Sequence, residues 1–197
     1  MLNNFPAGIA GIDIFHGDVV DSFHLAAASG IQFVIIKATQ GLTEVDPAHS
    51  DSLQRALSVG LIAGSYEFFT AGDPQVQAQH FVNNAGALAG QLPLTLDCET
   101  YFPGVAEDAL ACANEIKSLT GHFPIIYCSL SFWQQYLQPI FPEETTLWLA
   151  EYGVSAPRVA CSFWQWSEGA AVAGITNPCD CDVYLGTLED LEGMRIG

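Results

Sequence analysis

The chain has 197 residues, half of them apolar, and its 22 acidic and 5 basic side chains give a formal net charge of −17. This length and apolar content suit one compact core, so we expect a single domain spanning residues 1–197. The negative charge argues against nucleic acid and anionic lipid as partners, and no apolar stretch approaches the roughly 18 residues that span a bilayer.

Cysteine and histidine positions give no metal-binding pattern. The six cysteines contain no CxxC pair, and none has a histidine at zinc-ligand spacing, so we expect no metal and no cofactor. We expect mostly free thiols, with a disulfide involving Cys161 left open. The opening segment MLNNFPAG lacks the basic and apolar regions of a secretion signal, which predicts either secretion after trimming or delivery by another route.

Strand-like and helix-like segments alternate through the first two thirds of the chain. Each of five strand-like runs is followed by a helix-like stretch, the fifth of which is LSFWQQYL. The five runs are AGIDIF (10–15), IQFVIIKA (31–38), LIAGSYEFF (61–69), LPLTLDCE (92–99) and FPIIYC (123–128). This rhythm predicts five consecutive βα units.

The strand-like runs lie closer together in the last third of the chain. Three further runs, TLWLAEY (146–152), CSFWQWS (161–167) and CDCDVYLG (179–186), are separated by only about ten residues, whereas a βαβ crossover needs about 10–12 including its helix. We therefore expect loops between them and a last helix at TLEDLEG (187–193). The count predicts an α/β fold, a single irregular TIM-like (β/α)5β3 barrel, with an open doubly wound sheet as the alternative.

Four carboxylates stand at the ends of apolar strands, where the active sites of parallel barrels lie: Asp13, Asp97, Glu99 and Asp180. Strand alternation places Asp97 and Glu99 on one face, about 6.6 Å apart, with Cys98 on the other. Clustered carboxylates raise one another's pKa, which suits the general acid of glycosidic bond hydrolysis. The alternative is that these acids only cap the helices that follow.

Eight segments carry a resemblance that spans nearly the whole chain. GIDIFHG resembles a first-strand motif with its Asp, FVIIKATQG resembles FVxIKATEG, GLIAGSYEFF resembles GLxxGAYHFF, and LPLTLDCE contains the paired-acid motif D-x-E. PIIYCSLSFW, LWLAEYG, FWQWS followed by GI, and CDCDVYLG resemble PIIYTSxxFW, LWxAxYG, WQYSxxGxxxGI and VDxNxF. In this order they are similar to the glycoside hydrolase family 25 lysozymes, the Chalaropsis-type muramidases.

The resemblance implies a flattened barrel of eight strands and five principal helices that cleaves the β-1,4 bond between N-acetylmuramic acid and N-acetylglucosamine in peptidoglycan. By position it implies Glu99 as acid/base, Asp97 as the carboxylate that stabilises the transition state, and Asp13 and Asp180 as supporting acids. We expect the substrate's acetamido group to assist. We also expect a monomer that acts on glycan strands of the bacterial wall, extracellular or periplasmic, without nucleic acid or membrane partners.

Candidate substrate contacts surround these acids. Lys37 either orients an acid or neutralises a buried carboxylate, and Tyr66 either contacts the acetamido group or is a core tyrosine. Tyr127 occupies another inward position of the family pattern. Single aromatic residues are more often core than sugar platforms, and Tyr101 and Phe102, directly after the acid pair, are the best platform candidates. The remaining candidates are Trp148, Gln165 and Trp166.

Three positions depart from the family pattern: Phe15 stands where Ser is usual, Gln40 where Glu is usual, and Glu67 where His is common. No histidine is predicted to be catalytic, and only His16, close to Asp13, is expected to border the cleft. Two other functions remain open, a barrel that binds glycan without cutting it and a glycosidase for another N-acetylated polysaccharide such as chitin.

Overall fold

The computed structural model describes residues 5–197 and arranges their regular elements around one β-barrel. The expectation about a secretion signal falls partly on residues 1–4, which lie outside the described residues. The strands are β1 (Ile9–Ile14), β2 (Phe33–Gln40), β3 (Glu44–Val45), β4 (Ile62–Phe68), β5 (Thr95–Asp97), β6 (Ile125–Ser129), β7 (Leu147–Ala150), β8 (Phe163–Ala170) and β9 (Cys179–Tyr184). The helices are α1 (Phe23–Ser29), α2 (His49–Ser58), α3 (Pro74–Asn84), α4 (Val105–Thr120), α5 (Leu130–Phe132, continued by a π-helical turn over Trp133–Leu137) and α6 (Leu188–Gly193).

Eight strands close the barrel in the order β1-β9-β8-β7-β6-β5-β4-β2, with β2 pairing back onto β1. Neighbouring strands are parallel except at β9, which is antiparallel to both β1 and β8. The short β3 pairs with the end of β2 outside this circuit. The predicted eight-stranded irregular barrel, with helices after the first five strands and loops between the last three, is confirmed. The pairing of β1 with β2 excludes the open-sheet alternative.

Side-chain alternation divides the core into a barrel interior and an outer layer under the helices. The interior contains large side chains such as Phe33, Trp148 and Phe163. Gly11 makes room for one of them, because a Cβ at this position would lie 2.2 Å from the Phe33 ring. The outer layer forms one apolar cluster that includes residues of α1 and α2 and another that includes residues of α3 and α4. All six cysteines are free thiols in this structure.

Local signals explain where several helices begin and end. The Ser22 side chain accepts the backbone N–H of Leu25 at the start of α1, and Gly30 ends that helix with a positive φ of 121°. A capping box between Thr187 and Asp190 starts α6. Because β9 runs against the other strands, α6 follows it at their N-terminal ends, where Leu191 joins the interior cluster. Of the helices in residues 5–197, none is long and apolar enough to cross a bilayer.

Candidate active site

A cleft of about 440 Å³ opens at the carboxyl ends of the parallel strands, opposite α6. Each of the eight barrel strands contributes at least one side chain to it. The lining residues are Asp13, Phe15, Lys37, Tyr66, Phe68, Asp97, Glu99, Tyr127, Trp148, Tyr152, Gln165, Glu168 and Asp180. The cleft therefore contains all four carboxylates predicted as catalytic and five of the eight residues named as candidate substrate contacts.

The acid pair lies at the end of β5. Asp97 and Glu99 both face the cleft, whereas Cys98 points into the outer apolar layer, as strand alternation predicts. Asp97 is buried. Its burial and, to a smaller extent, the nearby carboxylates of Glu99 and Asp13 raise its pKa well above the usual range. Glu99 is open to solvent at the mouth of the cleft, and partial removal of water still raises its pKa. Both carboxyls thus hold protons more strongly than free Asp or Glu.

Lys37 is the lysine that faces this acid pair. Its Nζ donates to Gln40 Oε1 at 2.6 Å and lies 4.8 Å from the centre of the Phe68 ring. Its positive charge lowers the pKa of both Asp97 and Glu99, against the effect of burial. Lys37 therefore limits the repulsion within the acid pair.

Gln165 on β8 holds Asp13 in place. The Tyr127 hydroxyl donates to Gln165 Oε1 at 2.9 Å, and the Tyr152 hydroxyl donates to the same oxygen. With its oxygen occupied by two donors, the Gln165 amide presents Nε2 to Asp13 Oδ2, at 2.7 Å. The pKa of Asp13 is raised well above its usual range, mainly by burial and to a smaller extent by the carboxylates of Asp182 and Asp180.

The reversal of β9 explains why Asp180, near the start of its strand, reaches the same cleft as residues at the ends of other strands. The pKa of Asp180 is raised to about 6, mainly by burial and to a smaller extent by the charges of Asp18, Glu168 and Glu99. Asp182, two residues further, also faces the barrel interior and is fully buried, with its Oδ1 accepting the indole N–H of Trp148 at 2.8 Å. Sequence reasoning missed Asp182, although the alternation in CDCDVYLG places it on the same face as Asp180.

Comparison with known proteins decides the family. Residues 12–175 match the sequence model of Glycosyl hydrolases family 25. The chain belongs to this family. An autolytic lysozyme from Clostridium acetobutylicum is 30% identical over 195 residues, which cover 95% of this chain and 57% of that protein. The chain thus spans less than two thirds of that relative.

Two further relatives match this chain along nearly its whole length. An N,O-diacetylmuramidase from Chalaropsis sp is 26% identical over 215 residues, covering 96% of this chain and all of that protein. The crystal structure of a bacterial lysozyme from Streptomyces coelicolor is 26% identical in sequence, with a TM-score of 0.90 over 96% of this chain and 97% of that one. The barrel described above is therefore the fold of the family.

The four aromatic residues considered as platforms for sugar rings have different surroundings in the structure. Tyr101 lies outside the cleft lining and is 62% exposed, with its ring centre 5.1 Å from that of Tyr136. Phe102 instead packs against the outer apolar layer, with its ring 5.8 Å from Phe69. Trp166 packs on the outer cluster beside Phe5, and Trp148 is only 2% exposed. Of these four, Tyr101 alone presents most of its surface to solvent.

The positions that depart from the family pattern have distinct surroundings. Phe15 is exposed on the cleft wall and Gln40 accepts from Lys37, whereas Glu67 lies on the outward face of β4. Glu67 is fully buried, accepts the Thr39 hydroxyl at 2.9 Å, and has its pKa raised to about 8 by burial. It is therefore outside the cleft.

His16 lines a small adjoining pocket of about 60 Å³ that shares Lys37 with the main cleft. Its Nδ1 lies 2.8 Å from Asp46 Oδ2, which also accepts its backbone N–H. Within residues 5–197, no group of three His, Cys, Asp or Glu side chains is placed to hold a metal ion.

Proposed function

We propose that this member of family 25 is a lysozyme, a 1,4-β-N-acetylmuramidase that hydrolyses the bond between N-acetylmuramic acid and N-acetylglucosamine in bacterial peptidoglycan. The observation that carries the proposal is the acid pair at the end of β5, which opens into a cleft lined by further carboxylates and aromatic rings. Glycosidic bond hydrolysis needs a protonated carboxyl at the leaving oxygen and negative charge near the cationic carbon. The raised pKa of Glu99 favours its protonated form at mildly acidic pH, and the positive charge of Lys37 favours the ionised form of Asp97.

The different exposure of the two carboxyls suggests their roles. Glu99 is open to the mouth of the cleft, where it reaches the oxygen between two sugars, so we assign it as the general acid. Asp97 is buried beside it and, when ionised, stabilises positive charge at the reacting carbon. Asp13 and Asp180 complete the acidic floor and wall of the cleft as supporting residues.

The position of the pair also bears on stereochemistry. Asp97 and Glu99 come from the same face of one chain segment, so Asp97 is poorly placed to attack the sugar from the side opposite Glu99. We infer that the 2-acetamido group of the substrate attacks instead, which gives retention without a bond to the protein. NMR of freshly released reducing ends tests this inference, because retention yields the β-anomer first, whereas α-anomer first would contradict it.

The remaining cleft residues are proposed to hold the glycan. Tyr66 and Tyr127 line the cleft, Lys37 and Gln165 offer N–H groups, and Tyr101 has an exposed side chain beyond the acid pair. Trp148 is nearly fully buried, so its contribution is to hold Asp182 and to pack against Tyr127, whose ring centre is 4.6 Å away. The proposed site of action is the cell wall, with the glycan strand as partner of a monomeric enzyme.

The turbidity of purified bacterial walls tests this function. We expect the protein to clear the walls and to leave a chitin oligomer largely intact when both are offered at equal sugar concentration. Cleavage of the chitin oligomer alone would favour a glycosidase for another N-acetylated polysaccharide. Binding to walls with no new reducing ends would favour a glycan-binding barrel.

A further inference from the structure

Asp13 and Asp182 form a buried carboxyl pair beneath the cleft. On the paired strands β1 and β9, Asp13 lies opposite Asp180 and Gly11 lies opposite Asp182, so Asp182 is one layer deeper in the barrel. The side chains of Asp13 and Asp182 are in hydrogen-bonding contact. Asp182 Oδ1 accepts from Trp148, whereas no N–H or hydroxyl group of residues 5–197 reaches the buried Oδ2.

Two carboxylates in contact within a barrel interior repel each other strongly, and a buried oxygen without a donor is costly. One proton between them removes both penalties, because the protonated carboxyl becomes the missing donor. Gln165 already donates to Asp13 Oδ2, so the second Asp13 oxygen is the one available to carry this proton. The geometry thus accounts for the only unpartnered oxygen of Asp182.

We propose that Asp182 is a positioning residue that accepts a hydrogen bond from the protonated Asp13 carboxyl, so that the pair carries one negative charge, held on Asp182 below the cleft floor. The nearby Asp97 carboxyl favours a negative charge on Asp182 over a negative charge on Asp13. The charge of Asp13 raises the pKa of Asp97, whereas Asp182 lies one layer deeper in the barrel than Asp13. Moving the negative charge from Asp13 to Asp182 therefore takes it away from the acid pair.

The inference deepens the proposed function because it assigns Asp182 a task in the same site. A neutral Asp13 does not oppose the ionisation of Asp97, which the mechanism requires, and it cannot serve as a base for water. The titratable groups that face Asp13 are Asp182, Asp180, Asp97, Tyr66, Tyr127 and Tyr152. The thiols of Cys179 and Cys181 also act on the same strand, from the outer apolar layer.

The direct test is a titration of carboxyl carbons by NMR in protein labelled with ¹³C at aspartate Cγ. Asp182→Asn keeps an acceptor for Trp148 and offers an amide donor to Asp13, so the acid dissociation constant of Asp13 should rise at least about tenfold. Asp13→Asn should leave that of Asp182 nearly unchanged, because the Asp182 carboxyl ionises while Asp13 is still neutral. This second variant keeps the proposal testable if Asp182→Asn does not fold, since a tenfold rise at Asp182 would place the charge on Asp13 and overturn it.

Matched variants distinguish a shared proton from burial alone. Asp18→Asn makes the same charge change at the margin of the cleft and should alter the Asp13 dissociation constant far less than tenfold. Trp148→Phe removes a donor from Asp182 and should shift the pair's titration to higher pH. The proposal is overturned if Asp13 titrates alike in the natural protein and in Asp182→Asn, or if both carboxyls of the natural protein ionise below pH 5.

A kinetic measurement connects the pair to catalysis. In Asp182→Asn the ionised Asp13 raises the pKa of Asp97, so the acidic limb of kcat/KM for wall lysis should move to higher pH. An unmoved limb together with a shifted Asp13 titration would contradict the assigned task of Asp182. Failure of the natural protein to lyse any wall would contradict the proposed function but leave the NMR result as an independent measure of the shared proton.

Discussion

At the scale of single residues, the carboxyls of the cleft differ in burial and in neighbours. Asp97 is buried against Asp13, Glu99 is open to solvent, and Lys37 opposes the effect of burial on both members of the acid pair. These differences allow one carboxyl to act as an acid while another acts as an anion. The pH dependence of the reaction should report them.

We expect kcat/KM for wall lysis to follow a bell-shaped pH profile with its maximum below pH 7. Glu99 acts in its protonated form, so the rate should fall as pH rises through its raised pKa. Asp97 acts ionised, so the rate should fall again as pH drops below the pKa of Asp97. Initial rates from pH 3 to pH 10 check this, and a rate still rising at pH 9 would oppose the assignment.

Lys37→Met should move both limbs of that profile to higher pH. The substitution removes the cation that lowers the pKa of Asp97 and of Glu99 and keeps most of the side-chain volume. Lys117→Met is the matched control, because Lys117 lies at the end of α4 with its ammonium group 6.0 Å from the centre of the Phe123 ring. If the two variants give identical profiles, Lys37 has no electrostatic role in the acid pair.

Sequence reasoning found Asp13, Asp97, Glu99 and Asp180 because each stands at an end of an apolar run, which is a signal along the chain. It did not find Tyr152, Glu168 or Phe68 as cleft residues. Their positions depend on which strands become neighbours and on how loops fold over the barrel end. Phe102 follows the acid pair directly, yet the turn into α4 directs it into the outer apolar layer.

At the scale of elements, the direction of β9 is the feature that sequence patterns did not predict. A loop of about ten residues permits either a parallel or an antiparallel return, and alternation is the same in both directions. Only the antiparallel direction brings the start of β9, with Asp180, beside the end of β1, with Asp13. The number of strands was predictable because apolar alternation marks each strand independently of its direction.

The contact between β1 and β2 yields a prediction about packing. Gly11→Ala should destabilise the protein by about 1–3 kcal/mol, because the added methyl group overlaps the fully buried Phe33 ring. Gly193→Ala in α6 is the control, since a Cβ there meets no atom within 4 Å. Urea unfolding at constant pH measures both, and equal stabilities would show that the interior yields to the extra group.

At the scale of the whole molecule, the closed barrel separates the carboxyls of the cleft from buried carboxyls of the outer layer. Glu67 belongs to the second kind, with its pKa raised to about 8 by burial and its Oε1 without a partner among residues 5–197. A carboxyl of raised pKa stabilises the folded state below its unfolded pKa, and this contribution is lost as pH rises through the folded value.

Glu67→Gln should therefore reduce the loss of stability between pH 5 and pH 9. The amide retains an acceptor for Thr39 but does not ionise, and each unit of pKa difference corresponds to about 1.4 kcal/mol. Urea unfolding at the two pH values checks the expectation. The idea is contradicted if the natural protein and the variant lose the same free energy of unfolding over this range.

The central claim is that Glu99 protonates the leaving oxygen of a muramic acid glycoside. The most direct measurement reduces wall fragments with borohydride after digestion and identifies the new reducing ends. The natural protein should yield reduced muramic acid, Glu99→Gln should yield about 10²- to 10⁴-fold less, and Glu67→Gln should match the natural protein near pH 5. Reduced glucosamine as the main product, or near-normal yield from folded Glu99→Gln, would contradict the account.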